Sequence, residues 1–531
     1  MKIHISEEKC RQAVCIFLGI CIAAGVLLHI VPYYFDRSLW LDEAMLASSL
    51  LTRTPRSLVS EPLDWGQSSP IGYLYIVKCI TLIFGQSEAA LRVWSLIMGF
   101  GSILLVYLLL KNFVQKHYAL LFTAFFSLTD RYIYYANECK PYMSDNFFCL
   151  LTLYLWQRYR EKKVPFWQLI LCYSIFIWFS FTAVFFVAAC MILLCIELFK
   201  ELIWEKSKKS AADFCACGLV LVSFLCNYVF WLSRSSENAG EAAYWDWLKF
   251  PMIPRSLFDI GLIAKMVKQF LAFLPSAIGI VFCIFFVLYL LMSVKYGDKS
   301  HLVLPFLLSL FLLLAASFFG FYPMIDRLVQ PYCIPLYVFA AFACDKIETS
   351  FFQELSSPKD AQKWCLYFLY GILFLCFVRV GKDGCKNLTA AHVYQNGSEV
   401  KKNMEYLKLN MTEEDMVYVY RNSIPVYTYM DGYKVSYQEL KKLPLIKDSV
   451  IYGRDLVKNL YLEPYGYNTV VKKKAVQKEA KLILNYDSVY IFTTHGEAGL
   501  ISLFDLLKEY GTVELVSNDY ATNLYQFVKT K

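Results

Sequence analysis

Ser38-Leu39-Trp40-Leu41-Asp42-Glu43-Ala44-Met45-Leu46-Ala47 sets two adjacent acids among apolar and aromatic residues, just after the first apolar run of membrane length. Carboxylates partly removed from water cost stability unless they are used or paired. Successive residues of a helix point about 100° apart. Asp42 and Glu43 therefore cannot face the same way, and one is expected to address a reaction centre while the other supports it or pairs elsewhere. Trp40, Leu41, Met45 and Leu46 suit a helix lying at a membrane surface. The plain alternative is an ordinary solvated turn acid.

The rest of the chain supplies that membrane. Its 531 residues are 58% hydrophobic and 17% aromatic with only 18% charged, at a mean hydropathy of +0.43, which is too apolar for a chain that must wet its whole surface. The expected fold class is an α-helical polytopic membrane protein. Runs long enough to span fall at about 12–33, 91–110, 118–134, 143–157, 166–180, 181–199, 211–232, 268–293, 302–319, 328–344 and 364–380, about eleven transmembrane helices. Most of the 18 cysteines lie inside these runs, where Cys acts as a small hydrophobe and says little about redox compartment. The net charge of +8 is largely concentrated in the loops between apolar runs, so it argues for membrane orientation and against a nucleic-acid partner. The run Ala13 to Val31 is long enough to span and lacks an obvious small-residue cleavage site, so no cleaved signal is expected.

One run, Ile71 to Phe84, has a length more typical of an interfacial helix than of a span. Charge parity decides its placement. If it spanned, Lys111 and Lys116 would be outside together with Arg158, Arg160, Lys162 and Lys163, against the positive-inside rule. Laid in the outer interface, it leaves about 18 Lys/Arg in roughly 59 cytoplasmic loop residues against about 10 in roughly 86 outer ones. The expected topology has a cytoplasmic N-terminus in an integral plasma (inner) membrane protein, and places Asp42, Glu43, Glu138 to Tyr142 and Arg327 on the outer side.

From about Cys385 apolar runs shorten to strand length and charges of both signs appear. Helices are expected at 397–409, 474–485 and 501–509, and strands at 416–420, 449–453, 487–493, 512–517 and 524–528. The expected division is a membrane domain over 1–384, with a first outer loop at 34–90, and a small extracytoplasmic α/β domain over 385–531. That domain shows no Gly-rich phosphate loop and no paired metal-ligand spacing, and His495 stands alone in the sequence, which favours a structural or acceptor-binding role. Asn387-Leu-Thr389, Asn396-Gly-Ser398 and Asn410-Met-Thr412 match the glycosylation sequon, a pattern common by chance.

Further stretches carry candidate chemistry. In Tyr134-Tyr135-Ala136-Asn137-Glu138-Cys139-Lys140-Pro141-Tyr142, Pro141 suits a first helical turn and restrains Lys140 in extended geometry. Glu138 is placed to hold the Lys140 ammonium or to touch a hydroxylated ligand, with Tyr142 alongside. The bland account of Lys140 is a snorkelling side chain with a local ion pair. In Gly320-Phe321-Tyr322-Pro323-Met324-Ile325-Asp326-Arg327, the short outer link before a span, Arg327 can fork onto a phosphate or anchor the helix at the interface. Arg92, with Trp94 beside it, is read as an anchor. Gln67 in Gln67-Ser68-Ser69-Pro70 is a candidate to line a sugar site or to help cap the next helix.

The order Trp-x-Asp-Glu, a Pro-led interfacial helix followed by Phe84-Gly85-x-Ser87-Glu88-x-x-x-Arg92, then Glu-x-Lys-Pro-Tyr resembles the GT-C membrane glycosyltransferases, nearest to their protein O-mannosyltransferase and lipid A aminoarabinose transferase branch. Val400 to Tyr429 likewise looks like the start of the outer domain found on bacterial relatives. Two departures stand out: Ser69-Pro70 where many relatives have a Pro-Pro pair, and Lys140 where many have Arg, which leaves a point charge in place of a bidentate fork. The resemblance implies transfer of a sugar from a polyprenyl-phosphate carrier to an acceptor hydroxyl of a glycolipid, glycan or protein on the outer face, with inversion. That chemistry needs a base for the hydroxyl and cations at the departing phosphate. Asp42 is the candidate base with Glu43 supporting it, Lys140 and Arg327 are the candidate phosphate-binding cations, and Glu138, Tyr142, Gln67 and Tyr322 the candidate substrate contacts. No metal site is assigned, and a divalent ion remains an open alternative. So do a lipid or polysaccharide transporter and an outer-face polysaccharide polymerase or ligase, although internal repeats and mid-membrane charges are not evident.

Overall fold

The computed structural model describes residues 7–206, 208–233, 261, 264, 268, 276–319, 321–351, 359–395, 399–430, 459–462, 473–494 and 500–530. Gly320, the expected strand at 449–453, the Asn396 sequon and His495 lie outside these residues. Two compact units emerge, one of Met1–Val31, Ser68–Ile76 and Arg92–Leu388, the other of Pro32–Gln67, Val77–Leu91 and Thr389–Lys531.

The first unit is helical. Among the described residues seven helices are long and apolar enough to cross a bilayer: Glu8–Tyr34, Glu88–Leu110, Ala183–Trp204, Lys208–Leu232, Ile278–Tyr296, Asp326–Thr349 and Gln362–Leu388. Ile16, Phe17, Leu27, Trp364, Phe374 and Leu375 are exposed on the first and last of these, an apolar surface that needs lipid rather than water. The chain is an integral membrane protein. The remaining expected spans are shorter or more polar helices. Phe166–Phe176 and Val303–Phe318 are apolar but short, and Tyr142–Arg160 carries the buried polar residues Ser144, Asp145, Asn146, Thr152 and Gln157. The ambiguous run forms a helix with the expected limits, Ile71–Phe84.

One expected span is corrected. The run at 118–134 is two helices, Lys116–Ser127 and Asp130–Ala136. The side chains at the junction compete with the helical ladder: Ser127 Oγ donates to Ala124 O at 3.0 Å and Thr129 Oγ1 to Phe125 O at 2.8 Å. Neighbouring helices then use the break. A Cβ at Gly384 would lie 2.3 Å from Leu128 O and one at Gly25 would lie 2.4 Å from Ser127 Oγ, so each close approach requires glycine. Asn387 Nδ2 donates to Asp130 Oδ1 at 2.7 Å, so the first sequon asparagine is buried and committed to packing.

Helix Asp326–Lys346 is the axis of this unit, nearly all of it buried from Val329 to Cys344 despite Pro331 and Pro335. It packs on Ser276–Tyr296, Lys116–Ser127 and Tyr142–Arg160. Tyr337 contacts the rings of Phe126, Tyr132 and Phe282, and its hydroxyl lies 2.9 Å from Thr129 Oγ1.

Among the described residues the second unit is built on a five-stranded sheet of order β2-β1-β3-β5-β4, with β1 Met416–Val419, β2 Asn459–Leu462, β3 Ser488–Thr494, β4 Gly511–Asp519 and β5 Thr522–Lys529. β1 pairs in parallel with β2 and β3, whereas β5 runs antiparallel to β3 and β4. β1 is buried at every residue, which is why it reads as an unbroken apolar run. Helices Lys473–Ile483 and Ile501–Leu507 supply Val476, Ala480, Ile483, Leu503 and Leu507 to the core. Strand β2 and helix Ile424–Met430 are additions to the elements expected from sequence.

Candidate active site

The paired acids stand at the head of helix Leu41–Thr52, with Trp40 as its extended N-terminal residue. Glu43 occupies the third helical position, where a carboxylate can reach back: the Trp40 N–H donates to its Oε2 at 3.2 Å. The Arg37 guanidinium donates to the same oxygen at 3.0 Å, and both side chains of the pair are buried. Asp42, one step around the helix, is half-buried. The two acids differ in burial as they do in direction: Glu43 is locked into the helix start, and Asp42 is partly accessible. Leu41, Ala44, Met45, Leu46 and Ala47 are buried in protein, which corrects the expected membrane-surface face, and helix Ile424–Met430 packs on this helix.

The loop after that helix is pinned by ion pairing. Arg53 Nη2 reaches Asp64 Oδ1 at 2.7 Å with both side chains buried, and the Asp64 N–H donates to Ser49 Oγ at 2.8 Å. Trp65 and Gly66 follow with φ of +59° and +66°. Left-handed backbone is costly for a residue as bulky as Trp and persists where surrounding contacts impose it. The turn delivers Gln67, whose Nε2 donates to Met45 Sδ at 3.4 Å, and so places this candidate against the Asp42 helix. Lys78, buried on helix Ile71–Phe84, donates to Leu50 O at 2.6 Å and satisfies a carbonyl at the helix C-terminus.

In the first unit, Ser95 of helix Glu88–Leu110 holds the turn that carries Glu138 and Lys140. Its hydroxyl lies 2.7 Å from Glu138 O and 3.2 Å from Lys140 O, while the Lys140 N–H donates to Glu138 O at 2.8 Å. Trp94 Nε1 donates to Ser144 Oγ at 2.9 Å, fixing the start of the next helix, and Pro141 is its N-terminal flanking residue. Lys140 is 5% exposed and Glu138 fully buried. A lysine so enclosed is not snorkelling into water. Arg92 is also 5% exposed, which removes the interfacial-anchor account of it.

Arg327, half-buried near the start of helix Asp326–Lys346, places its guanidinium 5.9 Å from the centroid of the Tyr142 ring. Tyr142 in turn meets Tyr135 edge-on at 5.3 Å. Burial pushes the Tyr135 hydroxyl well above the ordinary tyrosine range, the Glu138 and Asp326 carboxylates add to this, and Arg327 and Arg131 oppose it. Glu138, Tyr142 and Arg327 therefore gather around one phenol. Tyr322 stands elsewhere in the unit: its hydroxyl lies 2.8 Å from Thr182 Oγ1 and its ring packs edge-on to Phe185. Next to that contact is a carboxylate that sequence reading left unassigned. Asp145 accepts from Ser180 Oγ at 2.5 Å and from the N–H groups of Thr182 and Phe181, so it fastens the turn before helix Ala183–Trp204. Among the described residues no three His, Cys, Asp or Glu side chains gather as a metal site.

Comparison with known proteins extends these observations. Over 96% of its length the chain superposes on the crystal structure of ArnT from Cupriavidus metallidurans in the apo state, covering 97% of that chain at a TM-score of 0.51 and 11% identity. The chain has the ArnT fold. The crystal structure of ArnT bound to undecaprenyl phosphate matches equally, at a TM-score of 0.52 and 11% identity over 96% of this chain and 98% of that one. Residues 68–231 match the family model described as dolichyl-phosphate-mannose-protein mannosyltransferase. That stretch includes Glu138, Lys140 and Tyr142, and excludes Asp42 and Arg327. An uncharacterized protein of Aquifex aeolicus (strain VF5) is 29% identical over 162 residues, 28% of this chain and 32% of the relative, so the match spans about a third of that curated protein. The expected resemblance to the protein O-mannosyltransferase and ArnT branch of the GT-C superfamily is borne out.

Proposed function

We propose that this protein is a membrane glycosyltransferase that moves a sugar from a polyprenyl-phosphate carrier to an acceptor hydroxyl of a glycolipid, glycan or protein at the outer face of the plasma (inner) membrane. The observation that carries the assignment is Asp42: a half-buried carboxylate at the head of a helix whose adjacent acid is tied to Arg37, in a chain with the ArnT fold. The ArnT structure that holds undecaprenyl phosphate supports a lipid carrier of this kind as the donor. Asp42 takes the proton of the acceptor hydroxyl as its oxygen attacks the anomeric carbon. The bond from that carbon to the carrier phosphate breaks, and its electron pair leaves on the phosphate oxygen. Lys140 and Arg327 bear the charge that develops there, a task that charged donors perform best where water is scarce. Glu138, Tyr142, Gln67 and Tyr322 are the proposed substrate contacts.

Mass analysis of surface glycolipids and glycans in cells with and without the gene tests this function. Loss of one sugar substituent, restored by the wild-type chain, is the expected result; identical profiles in cells shown to express the protein overturn it. Topology is tested separately. A reporter fused after Lys363 is expected to be cytoplasmic and one fused after Lys531 extracytoplasmic, as the loop charge bias requires. Both fusions on one side of the membrane would refute that arrangement.

A further inference from the structure

We propose that Glu399 is a positioning residue for Asp42: its carboxylate holds the segment that begins the Asp42 helix, so that the C-terminal sheet fixes where the proposed base lies. This inference rests on the glycosyltransferase assignment of Asp42.

Glu399 is 5% exposed and both its oxygens are engaged. Oε2 accepts the Ser38 N–H at 3.0 Å, while Oε1 accepts the Ser38 hydroxyl at 2.6 Å and the Lys401 N–H at 3.0 Å. The backbone of Glu399 is itself tied to the β4–β5 turn: its N–H donates to Tyr520 O at 3.0 Å and its carbonyl accepts from Thr522 Oγ1 at 2.5 Å. The carboxylate therefore joins a sheet turn at one end to Ser38 at the other. Ser38 adjoins Arg37, which holds Glu43, and lies one short stretch before Asp42. Hydrogen bonds to a buried charged group are the strong ones, so this contact constrains the loop more than a surface pair does.

Neighbouring contacts act on the same segment. Tyr394 donates to Phe35 O at 2.7 Å, and Lys401 Nζ meets the Asp36 carboxylate at 2.6 Å in a pair open to water. The sheet contributes a second way. In open α/β sheets the carboxyl ends of parallel strands commonly receive a ligand. Here the carboxyl end of β1 runs through Tyr420 to Ser423 into helix Ile424–Met430, which packs on helix Leu41–Thr52.

The test uses the full chain with Glu399→Ala, Glu399→Gln, Ser38→Ala and the Ser38→Ala/Glu399→Ala double variant. Donor binding, kcat, KM and amide hydrogen exchange over residues 37–52 are measured for each. Misplacement by an ångström costs up to about a hundredfold, so Glu399→Ala is expected to lower kcat by about tenfold or more with KM for the lipid-linked donor within about twofold of wild type. Exchange over 37–52 should accelerate, Glu399→Gln should regain part of the rate because it keeps one acceptor oxygen, and the double variant should lose no more than Glu399→Ala alone. Unchanged kcat in inserted Glu399→Ala, additive losses in the double variant, or a rise in KM alone would each overturn the proposal. If Glu399→Ala is not inserted, Glu399→Gln and Ser38→Ala decide by the same criteria. Should the wild-type chain transfer no sugar, the assigned function fails, while unchanged exchange in the variants rejects the latch and accelerated exchange confined to 37–52 supports it.

Discussion

Asp42→Asn is expected to reduce sugar transfer by about a hundredfold or more while the protein is inserted at its normal level. The substitution keeps side-chain size and hydrogen bonding but leaves no group to accept the acceptor's proton. The structure makes the comparison with Glu43→Gln informative. Glu43 is fully buried and receives both Arg37 and the Trp40 N–H, so neutralising it weakens the helix start and leaves a buried guanidinium without its countercharge. Glu43→Gln should therefore lower yield or thermal stability and cost turnover less per inserted molecule than Asp42→Asn does. Asp42 is half-buried where Glu43 is fully buried. Turnover of purified, quantified protein separates the two, and near-normal turnover in Asp42→Asn would remove it as the base.

That Asp42 and Glu43 would point in different directions was legible because it follows from helix geometry alone: a 100° step cannot bring adjacent carboxylates onto one target. Their partners were not legible. Arg37 lies in the irregular chain before the helix, where no periodicity links it to Glu43. Ser38 and Glu399 are 361 residues apart, a contact that one sequence cannot announce. Membrane helices were readable since a bilayer demands sustained apolarity, but the same criterion passed straight over the break between Ser127 and Asp130. That break depends on side-chain bonds to carbonyls and on close approach by Gly25 and Gly384, neither of which changes hydropathy. The apolar face of the Asp42 helix was assigned to lipid for a related reason. Composition reports that a face is buried and not what buries it, and here protein covers it.

Lys140→Met and Arg327→Met are each expected to lower turnover by about a hundredfold, because each removes a cation proposed to meet the charge developing on the carrier phosphate in a water-poor site. Methionine keeps much of the length and apolar contact of either side chain, so packing is disturbed little. The two residues differ in what else they hold. Lys140 is 5% exposed on a turn that Ser95 fixes through the Glu138 and Lys140 carbonyls, contacts that the substitution leaves in place. Arg327 stacks over Tyr142, and its loss should also loosen that ring against Tyr135. Arg327→Lys separates charge from shape: if the guanidinium grips phosphate with two donors, lysine restores little, whereas a simple point charge would restore much of the rate. Each variant is checked for insertion, and binding of undecaprenyl phosphate is measured beside turnover. Weaker binding with reduced turnover supports the phosphate role. Unchanged binding together with unchanged turnover in well-inserted variants rejects it, and a defect confined to membrane yield assigns both cations to the fold rather than to the carrier.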